Sequence, residues 1–412
     1  MIKKIKIYIT LAAVAFSSVS CLDKYPEDAI PEGDAIRTVE EANQAVIGIY
    51  AYMKNPNLYS GLLTLLPDLQ ADLAYAVEGY TNTYGNIWRW DILPTNTEVE
   101  AVYGTLNALI GKCNFLLERI AVLEQEVDDE DYEKLQQFKG EALFARALSY
   151  SDLIKMYCKA YDPATAADEL GVVLVSSYSN AGTLKRASLK DSYQFVLDDL
   201  AQSATCLKPD ENENDESYYD TPYFTIYAVN ALYARVYLNM QEWDKAIEYA
   251  SKVIDSRKFK LSSTTEMIDS ETSYYQYMWQ YDHSTETIWK VGFTTTSYGG
   301  SLGQIFFNYD FNSFKPDYVP AEWVLNLYAD TDLRATTFFQ SYRTGYEHGL
   351  QWPLLAKYFG NQEFYEQNIL HVTMPKVFRL SEQYLIRAEA YCQKSNPEYG
   401  KGANDLTTLR QA

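Results

Sequence analysis

Three segments of the chain share a pattern in which a small residue is followed a few positions later by an aromatic residue. They run from Leu143 to Tyr150, from Leu232 to Tyr237 and from Leu385 to Tyr391, and the middle copy continues to a further small residue at Ala246. Small residues allow two antiparallel helices to approach closely, and the ring fills the groove between them. The pattern therefore predicts stacked helix pairs, a fold that is mostly α.

Apolar residues at three- and four-residue spacing predict the helices themselves. The predicted helices cover residues 38–55, 98–123, 129–159, 188–207, 222–240 and 243–256. Thr38 with Glu41 forms a capping box at the start of the first helix, and Ser188 with Asp191 caps the helix at 188. The intervals of the middle repeat match the small and aromatic positions of a tetratricopeptide helix pair.

Two long segments break this pattern and are predicted to form irregular, loop-rich regions with a few short strands. Residues 56–97 and 262–379 are rich in Tyr, Trp, Gly, Thr, Ser and Asn, and their periodicity is poor. A long segment without clear helix in a helical protein is often functional. We predict one domain over residues 21–412, in which a scaffold at about 38–55, 98–261 and 380–412 supports these two ligand-facing regions.

The amino terminus has the layout of a secretory signal peptide. Lys3, Lys4 and Lys6 precede an apolar stretch, and small residues lead to Cys21. The predicted signal peptide is 1–20, and Cys21 is the predicted site of lipidation. No later stretch is long and apolar enough to span a bilayer, so a lipid on Cys21 is expected to hold the protein on the membrane.

Charge and aromatic content narrow the class of ligand. The formal net charge is −21, a field that repels nucleic acid phosphates, so no nucleic acid partner is expected. The chain contains 37 Tyr, 17 Phe and 7 Trp. An aromatic ring offers an apolar face, and Tyr adds a hydroxyl that forms hydrogen bonds. This combination suits sugars, which carry an apolar C–H face and a rim of hydroxyls.

Five segments resemble, in the same order, those of the SusD/RagB family of outer-membrane nutrient-binding lipoproteins. Residues 138–153 read FKGEALFARALSYSDL and residues 379–390 read RLSEQYLIRAEA. The segments 186–200, 231–261 and 21–26 also fit the family pattern. Members usually continue past the point that corresponds to Ala412, so the sequence is expected to be either a short member or a truncated chain.

The resemblance implies a role as well as a fold. It implies tetratricopeptide-like helix pairs, a surface-exposed position in the outer membrane, and a TonB-dependent, SusC-like transporter as partner. It also implies capture of oligosaccharides or polysaccharides without chemistry and without a cofactor. A RagB-type lipoprotein that binds peptides, and an adaptor of the tetratricopeptide type, are the alternatives that remain open.

Aromatic and amide side chains in the loop-rich regions are the candidate ligand-binding residues. Because side chains two apart share a face in an extended chain, residues 80–90 are expected to form a strip with one shared face that carries Tyr80, Asn82, Tyr84, Asn86, Trp88 and Trp90. For Trp90 itself we expect packing onto the helices. The first candidates are Asp72, Tyr80, Asn82, Tyr84, Asn86 and Trp88. The second are Tyr274, Tyr275, Tyr277, Trp279, Tyr298 and Trp323.

A serine hydrolase is the weakest alternative. Gly299 to Gly303 matches G-x-S-x-G around Ser301. Downstream, Asp330 or Asp332 and His348 or His371 could supply the other two members of a triad. That motif requires a buried strand before the serine and a helix after it, but the segment before Ser301 is polar and the one after it is short.

Metal-dependent and glycosidase chemistry also receive no support from the sequence. The three histidines form no ligand cluster in the sequence, so no metal is expected. A pair of facing carboxylates for a glycosidase cannot be assigned from sequence.

Overall fold

The protein is described by a computed structural model over residues 35–78, 83–178, 184–207, 219–329 and 331–412. The predicted signal peptide and Cys21 lie outside these residues. Helices dominate the described chain and its strands are few and short, which confirms the predicted fold class. Within the described residues, no helix is long and apolar enough to cross a membrane.

The helices are numbered along the chain. They are α1 (Val39–Met53), α2 (Leu62–Gln70), α3 (Gly85–Trp88), α4 (Thr97–Leu123), α5 (Asp129–Tyr157), α6 (Leu189–Cys206), α7 (Ile226–Asn239), α8 (Trp243–Ile254), α9 (Tyr274–Gln280), α10 (Gln304–Phe307), α11 (Glu322–Leu325), α12 (Leu333–Phe338), α13 (Gln362–Glu366), α14 (Leu380–Gln393) and α15 (Tyr399–Gln411). Short 3-10 turns occur at Glu347–Gly349 and Ala356–Tyr358.

The strands form two-stranded antiparallel ribbons. They are β1 (Ala74–Ala76), β2 (Leu170–Val173), β3 (Arg186–Ser188), β4 (Thr287–Lys290), β5 (Tyr318–Pro320), β6 (Phe339–Arg343), β7 (Gln351–Leu355) and β8 (Lys376–Arg379). The pairs are β1 with β5, β2 with β3, β4 with β8, and β6 with β7.

Both predicted helix caps are present. The Thr38 hydroxyl accepts from the Glu41 backbone N–H at 3.2 Å, and the Glu41 carboxylate accepts from the Thr38 N–H at 3.2 Å. The Ser188 hydroxyl accepts from the Asp191 N–H at 3.0 Å. These bonds satisfy amide groups that have no partner inside the helix, and they fix where α1 and α6 begin.

The predicted helix pairs pack through their small residues. Ala234 of α7 and Ala246 of α8 are fully buried, in one cluster with Ile386 and Ala390 of α14. The second and third copies of the repeat therefore lie side by side. The α7–α8 pair is closed by stacked rings, with centroids of Tyr233 and Tyr249 4.2 Å apart.

Helix α5 lies at the centre of the main core. Nearly every side chain from Gly140 to Ile154 is buried, and the helix packs against α4 and α6. A helix that is buried on all sides must satisfy its polar side chains internally. It does so partly by pairing Arg146 with Asp199 of α6 and with the side-chain oxygen of Asn114 on α4.

The loop-rich region has a second, smaller core of its own. Its buried residues include Leu65 and Leu69 of α2, Phe306 and Phe307 of α10, and Tyr318 of β5. The β1–β5 ribbon lies at this core. The region is thus an ordered layer on the helix scaffold rather than a set of independent loops.

Candidate ligand-binding surface

Two segments that are far apart in sequence meet in the β1–β5 ribbon. Tyr75 pairs with Val319, between the pairs Ala74–Pro320 and Ala76–Tyr318. Side chains alternate along a strand, so Ala74 is buried whereas Tyr75 is 45% exposed. The ribbon thus presents one tyrosine ring to solvent.

Trp323 lies on α11, just after β5, and bonds to the chain that leads into β1. Its indole N–H donates to the backbone oxygen of Asp72 at 3.2 Å, and its side chain is 43% exposed. The Ala321 N–H donates to the Leu73 oxygen at 3.0 Å, which continues the pairing beyond the strands. We call Asp72, Leu73, Tyr75 and Trp323 the ribbon surface.

Trp88 anchors the loop that leads to α4 onto the same ribbon. Its indole N–H donates to the Ala74 oxygen at 2.8 Å, and the ring is half-buried at 6.4 Å from that of Tyr318. The Tyr318 hydroxyl donates to the Thr83 oxygen at 2.7 Å. Two hydrogen bonds therefore fix this loop beside the ribbon.

Tyr84 and Asn86 lie in this anchored loop. Tyr84 is half-buried with φ of 56°, and burial raises the pKa of its hydroxyl, with a further rise from the charges of Glu98 and Asp317. Asn86 is exposed and its side-chain oxygen accepts from Arg89 at 2.9 Å. An exposed amide beside an aromatic surface can bind a sugar hydroxyl.

The structure brings together five of the twelve predicted candidates, and four others, Tyr274, Tyr275, Tyr277 and Trp279, lie apart from them on α9. Asp72, Tyr84, Asn86, Trp88 and Trp323 lie around the β1–β5 ribbon, whereas Tyr80 and Asn82 fall outside the described residues.

Tyr298 does not join this group through any contact that the described residues show. Its ring lies 6.4 Å from that of Phe364, and the adjoining Gly299 packs against Lys54 and Ser60 near the end of α1.

The prediction of an extended strip with one shared face is wrong. Residues Gly85–Trp88 form the helical turn α3, because the half-buried Trp88 bonds to the ribbon and Ile87 is buried in the core. The expectation that Trp90 packs onto the helices is also wrong, since its side chain is 63% exposed. Trp90 follows the helical turn in the left-handed backbone region, with φ of 60°.

Sequence reasoning missed Tyr75 and Leu73. The alternation Ala74-Tyr75-Ala76, small residues on either side of an aromatic, was the available signal for a short strand with one exposed ring. Its partner strand lies more than two hundred residues later, and one sequence does not reveal that pairing.

The nucleophile elbow predicted as an alternative does not form at Ser301. The serine is exposed, and in the described chain it is preceded by irregular backbone and followed by the four-residue helix α10. His371 is fully buried, and its two ring nitrogens bond to the Phe359 oxygen and the Tyr309 N–H. The imidazole is therefore not available as a base for Ser301.

Stacked helix pairs with a separate, aromatic loop layer define a helical-repeat protein of the tetratricopeptide type. The family model for SusD-like proteins, described as starch-binding and associating with the outer membrane, matches residues 22–238. The chain belongs to this SusD-like family.

Known proteins that resemble the chain agree with this assignment. SusD-like protein P2 of Formosa agariphila is 23% identical over 257 residues, which are 62% of this chain and 46% of that protein. The match thus spans less than half of that relative's length.

Solved structures share the fold. A SusD superfamily protein of Bacteroides thetaiotaomicron aligns with a TM-score of 0.74 and 22% identity, over 90% of this chain and 79% of that one. Surface glycan-binding protein A of Bacteroides uniformis aligns with a TM-score of 0.70 and 17% identity, over 90% of this chain and 80% of that one.

Proposed function

We propose that the protein captures oligosaccharides at the outer surface of the cell and that its ribbon surface is the place of contact. The observation that carries the proposal is the pair of exposed rings, Tyr75 on the ribbon and Trp323 hydrogen-bonded to Asp72 at the edge of the ribbon. Family membership supports the same ligand class, as does the relative from Bacteroides uniformis, which is named as a glycan-binding protein.

The geometry of Trp323 suits stacking on a sugar. Its N–H is bonded to Asp72, so the indole is held in one orientation before any ligand arrives. A ring that is already ordered loses little conformational freedom on binding. Tyr75 on the same ribbon adds a second apolar face and a hydroxyl, which together match the C–H face and the hydroxyls of a pyranose.

We further propose that the captured glycan is passed on unchanged to a SusC-like, TonB-dependent transporter, with a lipid on Cys21 as the anchor. The signal-peptide layout before Cys21 supports the anchor. The family's association with the outer membrane supports the location.

Glycan-array screening followed by calorimetry on the hits tests the proposal. Trp323→Ala and Tyr75→Ala should each weaken binding about tenfold or more, which corresponds to about 1.4 kcal/mol. Trp90→Ala is the matched control, because it removes a tryptophan that is more exposed than Trp323 and lies outside the ribbon surface. Binding by the Trp323→Ala/Tyr75→Ala double variant equal to that of Trp90→Ala would refute the site.

The peptide-binding alternative gives a different result in the same experiment. If no glycan on the array binds and members of a peptide library do bind, the sugar assignment is wrong and the RagB-type function is correct.

A separate experiment tests whether the protein leaves its ligand unchanged. Incubation of each bound glycan with the protein, followed by mass spectrometry, should recover the glycan intact. Shortened products would contradict the non-enzymatic role.

A further inference from the structure

A cavity of about 530 Å³ lies between the helix scaffold and the loop-rich region. Helices α2, α5, α7 and α14 contribute side chains to it, as do the chain around Lys357 and the segment 373–379. Its volume is within the range of about 300–1,000 Å³ that small-molecule sites occupy. No residue of the ribbon surface lines it, so the cavity is a separate place on the molecule.

The lining of the cavity has the opposite charge balance from the whole chain. Five cationic side chains face three carboxylates, in a chain with a formal net charge of −21. The cations are Lys155, Arg235, Lys357, Lys376 and Arg379, and the carboxylates are Asp152, Glu382 and Glu389.

Three of the lining cations already have carboxylate partners. The ion pairs are Arg235–Glu382 at 2.7 Å, Lys376–Asp282 at 2.5 Å and Arg379–Glu286 at 2.9 Å. Lys155 is exposed to solvent and needs no partner. Among the lining cations that are shielded from solvent, Lys357 is thus the one for which the described residues show no carboxylate in contact.

Lys357 instead contacts aromatic rings. Its ammonium lies 4.8 Å from the ring centroid of Trp279, 5.0 Å from that of Tyr358 and 5.4 Å from that of Phe338. Cation–π contacts attract the ammonium to the ring faces but supply no counter-charge for it. Burial lowers the pKa of Lys357 to about 8, although the charge of Asp68 acts in the opposite direction.

Three cations converge on the same indole. The charged groups of Lys357, Lys376 and Arg379 lie 4.8, 5.1 and 5.2 Å from the ring centroid of Trp279. Like charges gathered in a partly desolvated space repel one another, and an anion placed among them removes that repulsion. All three cations also line the cavity itself.

We propose that this cavity binds a carboxylate group, with Lys357 as the anchoring cation and Arg379 as a second donor beside the Trp279 ring. Apolar side chains, among them Leu63, Leu238 and Ile386, line other parts of the cavity and receive the uncharged part of the ligand. The carboxylate can belong to an acidic sugar or to the side chain of a polypeptide segment. Both present the same group to Lys357.

Calorimetry with two matched pairs of probes distinguishes these sources. Digalacturonic acid is compared with the neutral disaccharide of galactose, and the peptide Ac-Leu-Glu-Leu-NH2 with Ac-Leu-Gln-Leu-NH2. At least one acid should bind tenfold or more tightly than its neutral partner, and which acid does so identifies the source. If neither acid binds better than its neutral partner, the proposal is wrong.

Variants locate the interaction. Lys357→Met should abolish the difference between acid and neutral probes, and Lys357→Arg should keep most of it. Lys190→Met is the control, because it removes the same charge from an exposed position on α6. A Lys357→Met protein that still prefers the acid as strongly as Lys190→Met would refute the assignment.

A measurement on the unaltered protein covers the case in which Lys357→Met fails to fold. The Trp279 indole N–H resonance, assigned with Trp279→Phe, should shift on addition of the acid that binds, and its constancy at saturation would overturn the proposal. Trp323→Ala should leave this shift unchanged, so the result is independent of the function proposed for the ribbon surface.

Discussion

Arg146 of α5 binds both carboxylate oxygens of Asp199 on α6, with its Nε at 2.8 Å and its Nη2 at 2.6 Å. Both side chains are buried, and the third guanidinium bond goes to the Asn114 oxygen at 2.7 Å. Such a pair holds two helices in a fixed register. It also leaves a costly unpaired charge if one partner is removed.

Asp199→Ala should therefore destabilise the protein by about 3–5 kcal/mol, because Arg146 remains buried without its counter-ion. The double change Arg146→Met/Asp199→Leu should recover most of that loss, since no charge is then buried. Urea unfolding at neutral pH measures both free energies of unfolding. A double variant as unstable as the single one would show that packing, and not the unpaired charge, causes the loss.

Stability should fall on mild acidification because of His371. The imidazole is fully buried, and burial lowers its pKa below the ordinary value, while the bond to the Phe359 oxygen acts in the opposite direction. The unfolded chain then binds a proton more readily than the folded one, so the free energy of unfolding decreases as the pH falls below about 6.5.

Thermal unfolding at pH 7.5 and at successive values down to pH 5 checks this. His371→Gln should be less stable at pH 7.5, yet it should lose less stability than the wild-type protein over the same interval. Buried carboxyls titrate equally in both proteins, so their effect cancels in the comparison. If both proteins lose the same stability between pH 7.5 and pH 5, His371 does not contribute to the pH dependence of stability.

Glycan binding at the ribbon surface should be nearly independent of salt. Tyr75 and Trp323 carry no charge, and their contacts with a neutral sugar are not screened by ions. The dissociation constant of an array hit should change less than about twofold between 50 and 500 mM NaCl, where the Debye length shrinks several-fold. A steep salt dependence, measured by calorimetry, would indicate that ionic contacts dominate and that the site lies elsewhere.

Gly303 allows the backbone just before α10 to pass close to the backbone at Tyr358. A Cβ at this position would lie 1.8 Å from the Tyr358 oxygen, and a backbone atom cannot move aside easily. Gly303→Ala should cost about 1–3 kcal/mol or more. Gly104→Ala is the matched control, because it lies exposed within α4 with open space around it and should raise stability by about 0.5–1 kcal/mol. Chemical denaturation of both variants measures the two effects.

The helix scaffold was predictable because its determinants are local. Apolar periodicity defined α4 and α6 within a few residues, and cap residues such as Thr38 and Ser188 marked where helices begin. The small and aromatic positions around Ala234 and Ala246 predicted which faces of α7 and α8 pack together. Each of these signals lies within one or two helical turns of the structure that it specifies.

The ribbon surface was only partly predictable because its determinants are distant from one another. Trp323 and Asp72 were chosen as candidates separately, yet nothing in the sequence joins them, and their contact spans 251 positions. The strand Ala74–Ala76 is too short for its alternation to stand out. Trp88 and Trp90 show the remaining limit, since residue type does not reveal which of two nearby rings bonds to the ribbon and which faces solvent.

The smaller core beneath the β1–β5 ribbon is distinct from the core of the helix scaffold. The exposed positions Leu73, Tyr75 and Trp323 can therefore be exchanged without unpacking any helix pair. Under the proposed function, a few substitutions on this one short ribbon can change which glycan the protein prefers. Such substitutions leave the buried residues that keep the protein folded unchanged.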